Sequence, residues 1–302
     1  MTRVAVVGAG AVGCWYGGLL ARAGADVTLI GRPVHVDAMR AAGLHLSSAG
    51  FDLHVPVKAD TALAAVAGAE LVLVCVKSTD TEATGRELRP HLAAGACVLS
   101  LQNGVDNADR LARELGAPVA PAVVYVASEM AGPGHVRHMG RGELVIPEQL
   151  AGRLSSESVV ALFGRAGVPV ERSSDVAGAL WSKLILNCAY NAMSALTDLP
   201  YGELVRQPGI AQTVDAAVRE CLDVARARGV TPAGDIFEAV DRIARTMPGQ
   251  RSSTAQDVRR GKRSEIDHLN GYIAREGERL GVATPVNRAL WALVKALESR
   301  ER

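Results

Sequence analysis

The chain has 302 residues, of which 48% are hydrophobic and 22% are charged, and its formal net charge is +1. This length suits one large domain or two of ordinary size, and so apolar a composition excludes a disordered chain. A nearly neutral charge argues against a nucleic-acid partner and against attachment to a membrane by a basic surface. No apolar run in the sequence reaches the roughly 20 residues that a membrane-spanning helix needs.

The cysteines are five in number, scattered, and set mostly in apolar runs: Cys14, Cys75, Cys97, Cys188 and Cys221. This distribution is typical of free, reduced core residues and favours a cytoplasmic protein. The cysteines and histidines show no metal-site spacing, so we expect no bound metal. An apolar run near the N-terminus has some features of a signal peptide, but glycines interrupt it and we do not expect secretion.

The first residues have the pattern of a nucleotide-binding loop. A β-branched run, residues 4–7, precedes Gly8-Ala9-Gly10-Ala11-Val12-Gly13, and a helix-like segment and a second apolar strand, residues 27–30, follow. In this context the G-x-G-x-x-G motif predicts a dinucleotide site, in which the glycines allow a tight turn, close approach of a pyrophosphate and close helix packing. The alternative is a glycine-rich turn without a ligand. We expect the cofactor to contact Gly8, Gly10, Ala11, Val12 and Gly13.

The end of the second strand bears on which dinucleotide binds. An NAD site usually carries a carboxylate there for the ribose 2′-hydroxyl, whereas an NADP site offers an arginine to the 2′-phosphate. Here the strand ends in Ile30-Gly31-Arg32, and no carboxylate follows before Asp37. The sequence therefore favours NADP, with Arg32 as its ligand. The alternative is that Arg32 is a solvated loop residue.

Strand and helix patterns go on alternating after this point, which predicts a doubly wound parallel sheet. Residues 119–128 and 132–142 are expected to be antiparallel strands that close this sheet, with His135 and His138 on the surface. The other predicted elements are a hairpin over 44–48 and 51–57, a short helix over 61–67, strands over 71–76 and 97–101, and helices over 81–92 and 107–115.

Two polar groups of residues follow neighbouring strands of the predicted sheet. Lys77-Ser78-Thr79-Asp80 comes after one strand, and Gln102-Asn103-Gly104 comes after the next. Ligands of such sheets bind at the carboxyl ends of the strands, so we expect these residues to contact the nicotinamide half of the cofactor. The alternative is ordinary turn chemistry, since Asn-Gly is a common turn pair.

From about residue 175 the pattern becomes helical throughout, with helices predicted over 175–196, 209–228, 233–245, 254–280 and 287–299 and prolines between them. The fold class is therefore α/β: an N-terminal Rossmann-type doubly wound sheet and an all-α C-terminal domain. We assign residues 1–174 to an NADP-binding domain and residues 175–302 to a helical substrate and catalytic domain.

A polar row lies on the first of these helices. Lys183, Asn187 and Asn191 recur every fourth residue among mostly apolar neighbours. Because each residue of a helix turns by about 100°, the three side chains share one face. This row either faces water or lines a ligand site, because buried polar groups must be satisfied or used. Its place on the first helix after the boundary would let it face the ligand edge of the sheet.

A second polar stretch runs from Ser252 to Asp267. Its start suits a helix cap, which is the alternative to a binding role for Ser252 and Ser253. Ser253 and Glu265 are twelve residues apart in the predicted helix, just over three turns, so both would border one groove. The basic residues between them are expected to form a solvated face: Arg259, Arg260, Lys262 and Arg263.

Together these motifs resemble the ketopantoate reductase family, the 2-dehydropantoate 2-reductases. The resemblance covers nearly the whole chain, and its more specific parts are the helix with Lys183 and the Ser252–Asp267 stretch. It is carried by the G-x-G-x-x-G loop, Arg32, Lys77, Gln102-Asn103-Gly104, the Lys183-x-x-x-Asn187-x-x-x-Asn191 helix and the Ser252–Asp267 stretch. The resemblance implies NADPH-dependent reduction of 2-dehydropantoate to D-pantoate, on the route to pantothenate and coenzyme A.

The resemblance also implies residue roles. Lys183 would be the general acid, and Glu265 would complete the catalytic site. Asn103, Asn187, Asn191 and Ser253 would bind the substrate, and Lys77, Asn103 and Glu265 would border the cofactor. An ammonium suits this chemistry, because the ketone oxygen gains negative charge as hydride reaches its carbon.

Two other functions stay open at this point. One is an NAD(P)-dependent dehydrogenase of another 2-hydroxy or 2-oxo acid, since related enzymes accept other acids. The other is a non-catalytic NADP-sensing protein. For an enzyme the expected partner is a small-molecule 2-oxo acid, whereas a sensor would bind partners when it is loaded with NADP. The sequence leaves open whether the chain forms a homodimer.

Overall fold

A computed structural model describes residues 1–300 of the chain. The chain divides into two compact units, Met1–Val176 and the residues from Ala177 onward. Helices form the second unit, and residues 177–300 contain no strand. The α/β fold class expected from the sequence is therefore correct.

The first unit contains, in chain order, β1 (Arg3–Val7), α1 (Ala11–Arg22), β2 (Asp26–Ile30), α2 (Pro33–Ala42), β3 (Leu44–Ser47), β4 (Asp52–Val55), β5 (Lys58–Asp60), β6 (Leu71–Val74), α3 (Thr81–Leu88), β7 (Cys97–Ser100), α4 (Asn107–Leu115), β8 (Ala120–Pro121), β9 (Val123–Gly132), β10 (His135–Pro147), α5 (Ser156–Arg165) and β11 (Val170–Ser173). Single 3₁₀ turns occupy Leu63–Val66, Ser78–Asp80 and Arg89–His91.

Six parallel strands form the main sheet, in the spatial order β5, β2, β1, β6, β7, β8. Side chains of a strand alternate between its two faces, so β1 contributes to a core on each side of the sheet. Val4 and Val6 pack in one core with α1, whereas Ala5 and Val7 pack in the other with α3 and α4. This is the Rossmann-type doubly wound sheet, and its strand order reverses between β1 and β6, the point where such sheets bind ligands.

The remaining strands form a second sheet in the order β11, β10, β3, β4, with β9 also paired to β10. The predicted hairpin of β3 and β4 is confirmed. The prediction that residues 119–128 and 132–142 close the first sheet as antiparallel strands is wrong, and of these residues only 120–121 pair with it, as a parallel strand. β10 is thirteen residues long and pairs with β9 on one side and with β3 and β11 on the other, so its hydrogen bonds are used within the second sheet. The short parallel strand β8 forms the edge of the first sheet instead.

The two histidines expected on the surface are half-buried in aromatic stacks. His135 lies opposite His45 in the register of β10 and β3, and their rings are 3.7 Å apart. His138 stacks on Trp15 at 4.1 Å. The expectation of simple surface positions is therefore wrong, because pairing with β3 and packing against α1 cover one face of each ring.

The second unit contains α6 (Val176–Thr197), α7 (Tyr201–Leu204), α8 (Ile210–Ala227), α9 (Ile236–Thr246), α10 (Ser253–Arg259), α11 (Asn270–Leu280) and α12 (Pro285–Arg300), with a 3₁₀ turn at Ile266–His268. No helix within residues 1–300 is long and apolar enough to cross a membrane. Over the same residues, no group of three or more histidine, cysteine, aspartate or glutamate side chains is arranged to hold a metal ion. All five cysteines are free thiols, and four of them are buried.

The predicted helix over residues 254–280 is broken, which corrects the sequence analysis. Gly261 has a φ of +61°. Its amide donates to the Val258 carbonyl, and the Lys262 amide donates to the Asp257 carbonyl, each at 2.9 Å. This pair of bonds is the Schellman ending of a helix at a left-handed glycine. Ser253 and Glu265 are therefore not related by helical spacing, and that spacing does not place them along one groove.

A buried carboxylate fixes the beginning of α12. Glu220 of α8 is only 9% exposed. It accepts hydrogen bonds from the amides of Val286 and Asn287, at 2.8 and 2.9 Å, and from the Asn287 carboxamide at 2.7 Å. A negative charge is favourable at a helix N-terminus, where unpaired amides meet the positive end of the dipole. Glu220 therefore ties α12 to α8.

Candidate functional site

The three glycines of the loop after β1 have three different surroundings. Gly8 has a φ of +105°, and a Cβ there would lie 2.6 Å from the Val76 nitrogen. A Cβ on Gly13 would overlap the Gly8 carbonyl oxygen and lie 2.9 Å from Val6. At Gly10 a Cβ would meet nothing within 4 Å. Gly8 and Gly13 are thus required by the fold itself, whereas Gly10 leaves open space beside the loop.

The open space at Gly10 lies at the N-terminus of α1, where Gly10 is the capping residue. The first helical bond runs from the Cys14 amide to the Gly10 carbonyl, at 2.8 Å. The amides of Ala11, Val12 and Gly13 precede that bond in the chain. First-turn amides and the helix dipole form a site for an anion, and the absence of a Cβ on Gly10 lets the anion approach the backbone closely. The loop therefore fits the pyrophosphate of a dinucleotide.

Arg32 is an exposed residue between β2 and the first turn of α2. The chain reaches it through Gly31, where a Cβ would lie 2.6 Å from the Ala9 side chain, so the loop after β2 passes close to the glycine loop. A guanidinium nitrogen of Arg32 lies 3.5 Å from Nε2 of His35. Neither α2 nor a role for His35 was predicted from the sequence, and the helix is what brings His35 beside Arg32. An exposed arginine here fits a 2′-phosphate.

The loops after β6 and β7 are joined by hydrogen bonds. Lys77 is half-buried and immediately precedes the turn at Ser78–Asp80. The Asn103 carbonyl accepts from the Ser78 hydroxyl at 2.9 Å and from the Asn107 carboxamide at 2.6 Å. The structure therefore fixes the backbone of Asn103 against the loop that carries Lys77.

A buried network supports this junction, and three of its members were not predicted from the sequence: Thr81, Ser100 and Asn107. The Thr81 hydroxyl donates to Asn107 Oδ1 at 2.9 Å and accepts from Gln102 Nε2 at 2.8 Å. Ser100 donates to the other atom of the Gln102 amide, at 2.9 Å. Gln102 is 5% exposed, so its side chain serves the packing of the loop. Polar side chains at the starts of predicted helices were the only signal for Thr81 and Asn107.

The polar row on α6 is not an exposed face. Lys183 and Asn187 are half-buried, and Asn191 is 4% exposed. The intervening residues Leu184 and Cys188 are buried. These surroundings argue against the alternative of a fully solvated row.

The two serines at the start of α10 do different things. Ser252 caps the helix, since its hydroxyl accepts from the Ala255 amide at 3.0 Å and donates to the Asn191 carbonyl at 3.1 Å. Ser253 is exposed at the first helical position, and its hydroxyl accepts from Asn191 Nδ2 at 3.5 Å. The capping alternative is therefore correct for Ser252, and the structure brings Ser253 to the end of the α6 row.

Glu265 lies in the segment between α10 and α11 and is 8% exposed. Its carbonyl accepts from the His268 amide at 2.8 Å, which begins the 3₁₀ turn. The neighbouring residues Ser264 and Asp267 are bonded to side chains of α12. The basic residues before this segment, from Arg259 to Arg263, are exposed, as expected.

A doubly wound parallel sheet with a glycine loop at its switch point defines a dinucleotide-binding protein, here followed by a helical unit with a sheltered polar row. The family model described as "Ketopantoate reductase PanE/ApbA" matches residues 4–150, and the model "Ketopantoate reductase PanE/ApbA C terminal" matches residues 175–298. The chain belongs to the ketopantoate reductase family, a family of oxidoreductases.

Individual relatives agree with this assignment. The 2-dehydropantoate 2-reductase of Pyrococcus horikoshii is 32% identical over 298 residues, which are 98% of either chain. The crystal structure of a PanE/ApbA family ketopantoate reductase from Ralstonia eutropha is 58% identical, with a TM-score of 0.95 over 99% of both chains. A ternary complex of D-mandelate dehydrogenase with NADH and anilino(oxo)acetate shares the fold, with a TM-score of 0.89 over 99% of both chains at 23% identity.

Proposed function

We propose that this protein reduces 2-dehydropantoate to D-pantoate with NADPH, the step that supplies pantothenate and coenzyme A synthesis. The observation that carries the proposal is the sheltered row of Lys183, Asn187 and Asn191, which Ser253 meets at one end. A cation and neutral hydrogen-bonding groups are the side chains that reduction of a small oxo acid requires. The names of the relatives support the choice of substrate.

The first unit supports the choice of cofactor. The open glycine loop fits a pyrophosphate, and Arg32 in place of a carboxylate favours the 2′-phosphate of NADPH over the free hydroxyl of NADH. Lys77 follows β6, the neighbour of β1, and Asn103 follows β7, the next strand of the sheet, and we assign both residues to the nicotinamide half. Residues 1–174 would thus bind NADPH, and residues 175–302 would bind the substrate and supply the acid.

The chemistry needs one hydride and one proton. NADPH, when bound, supplies the hydride that adds to the ketone carbon of the substrate. Lys183 donates a proton from Nζ to the ketone oxygen as the carbon–oxygen double bond becomes single, and solvent then returns a proton to Lys183. The products are the 2-hydroxy acid and NADP⁺. Before transfer, the ammonium stabilises the charge that gathers on that oxygen.

The other assigned residues hold the reactants. The substrate would be oriented by neutral donors and acceptors, from Asn103, Asn187, Asn191 and Ser253. None of these is a cation that would compete with Lys183 for the negative charge on the substrate. Glu265 would border the cofactor and complete the site as a buried acceptor. The bond between Asn191 and Ser253 supports this assignment, because it aligns two groups that are 62 residues apart in the chain.

The test is oxidation of NADPH in the presence of 2-dehydropantoate. We expect turnover with NADPH to exceed turnover with NADH. Lys183→Ala should lower kcat by about 100-fold or more, since general acids contribute that much, while NADPH affinity and the melting temperature stay unchanged. Lys58→Ala is the matched control, because Lys58 is an exposed lysine on β5 paired with Asp26. Full activity of Lys183→Ala would remove the general acid from this mechanism.

A panel of 2-oxo acids separates the remaining alternatives. A higher kcat/KM for an acid other than 2-dehydropantoate would keep the chemistry and change the substrate. NADPH binding without turnover of any acid would instead indicate an NADP-sensing protein. In that case Lys183→Ala would leave the cellular function of the protein intact.

A further inference from the structure

Three side chains of α12 face the segment that carries Glu265. Trp291, Lys295 and Glu298 are spaced by four and three residues, so they share one face of the helix. Trp291 Nε1 donates to one carboxylate oxygen of Asp267 at 2.6 Å, and Lys295 Nζ donates to the other at 2.8 Å. Both oxygens of Asp267 are thus bound by α12.

The same helix face holds the other side of Glu265. Oε1 of Glu298 accepts from the amide of Ser264 at 2.8 Å and from its hydroxyl at 2.6 Å. Lys295 Nζ lies 3.4 Å from the second oxygen of Glu298, so one ammonium links the two carboxylates. Ser264 and Asp267 lie on either side of Glu265 in the chain, so α12 is hydrogen-bonded to the segment both before and after Glu265.

Much of this segment lies outside regular helix. α10 ends at Arg259, and the next turn begins at Ile266, so the residues between them lack a helical ladder. Ser264 and Glu265 are nevertheless buried, and buried polar groups of this kind need fixed partners. Arg275 of α11 adds one bond, from its guanidinium to the Asp267 carbonyl at 2.6 Å.

We propose that Trp291, Lys295 and Glu298 form a positioning face that holds the backbone at Ser264 and Asp267 and thereby aims the Glu265 carboxylate. This inference rests on the proposed function, in which Glu265 borders the cofactor. The three α12 side chains touch neither substrate nor cofactor in this role. They act through Glu265, so their loss should lower the rate of reduction while the stability of the protein changes little.

The test compares Lys295→Met with Lys295→Arg and with Arg288→Met in the full-length protein. Lys295→Met removes the charge that joins Asp267 and Glu298, and Lys295→Arg restores it. Arg288→Met is the matched control, because Arg288 lies on the same helix and pairs with Glu278 at 2.9 Å, away from the Glu265 segment. We expect Lys295→Met to lower kcat by about 10- to 100-fold, a loss typical of a misplaced active-site group. Lys295→Arg should recover most of it, and Arg288→Met should leave kcat unchanged.

A double-mutant cycle separates positioning from a general structural role. In a Glu265→Gln background, Lys295→Met should lower kcat by less than about threefold further, since residues that act as one unit are not additive. Additive losses would overturn the proposal, as would full kcat in Lys295→Met alone. These results differ from failure of the proposed function, which would appear as no reduction of any 2-oxo acid by the unaltered protein.

Discussion

The glycine loop after β1 and the polar row on α6 are built from different parts of the polypeptide. The loop offers backbone amides and an empty space, and two of its glycines are also required by packing. The row offers side chains, and the partners that hold it come from distant segments such as the start of α10. A backbone site is therefore fixed when its strand and helix form, whereas a side-chain site depends on the packing of several helices.

We expect the largest effect from a substitution that disrupts the glycine loop. Gly13→Ala would drive a methyl group into the Gly8 carbonyl, so we expect a lower melting temperature and NADPH affinity weakened by more than about 100-fold. Gly10→Ala is the matched variant, because its methyl group meets no protein atom. It should keep the melting temperature and still weaken NADPH binding.

Fluorescence titration with NADPH and thermal denaturation would measure both variants. If Gly10→Ala bound NADPH as well as the unaltered protein, the open space at the start of α1 would not be the pyrophosphate site. The assignment of the glycine loop as a cofactor site would then be wrong, although the fold would be unaffected.

A smaller effect is expected at Arg32, the side chain to which we assign the choice of cofactor. Arg32→Ala should weaken NADPH binding by about 10- to 100-fold, the value of a hydrogen bond to a charged group, and should change NADH binding little. Arg137→Ala is the control, an exposed arginine of the same unit paired with Glu129. Equal losses for both nucleotides would contradict the assignment of Arg32 to the 2′-phosphate.

The smallest effect concerns a side-chain contact and depends on pH. Burial acts to raise the pKa of Asp267, but the bonds from Lys295 and Trp291 outweigh it and hold that pKa below its usual range. Partial burial acts to lower the pKa of Lys295, but Asp267 and Glu298 outweigh it and raise that pKa. The Asp267 contribution is therefore present above about pH 4 and lost as the pH falls through its folded value, whereas that of Lys295 is lost only well above pH 10.

Asp267→Asn should accordingly lower the free energy of unfolding at pH 7 by at most about 1 kcal/mol, because the pair is partly exposed to solvent. At a pH well below the lowered pKa of Asp267, where the carboxyl is protonated in the folded and unfolded states, the variant and the unaltered protein should be equally stable. Denaturant unfolding at both pH values measures the difference. A difference of the same size at both pH values would show that the carboxylate charge does not stabilise the fold.

Much of the first unit was predictable, because its signals are local. The apolar runs of β6 and β7 and the helix at residues 107–115 appear within two residues of their predicted bounds. The glycine loop was predictable for the same reason, since its strand, turn and helix are consecutive in the chain. A backbone site leaves its whole pattern in one stretch of sequence.

The errors arose where partners are distant or a helix ending was overlooked. The sequence predicted antiparallel strands over 119–128 and 132–142, but the pairing of β10 with β3 depends on a segment some 90 residues earlier. Gly261 was a visible stop signal within the predicted helix over 254–280. The roles of Ser252 and Ser253 differ by one residue, and only the cap geometry separates them.

The anchoring of α12 by Glu220 has a consequence for how that helix loosens. A shift of one residue along the axis, about 1.5 Å, would pull two amides off a carboxylate that is largely buried and has little water to replace them. Sliding of α12 or unwinding of its first turn would therefore cost free energy. We expect fraying to start from the opposite end and to proceed inward, releasing Glu298 first, Lys295 next and Trp291 last.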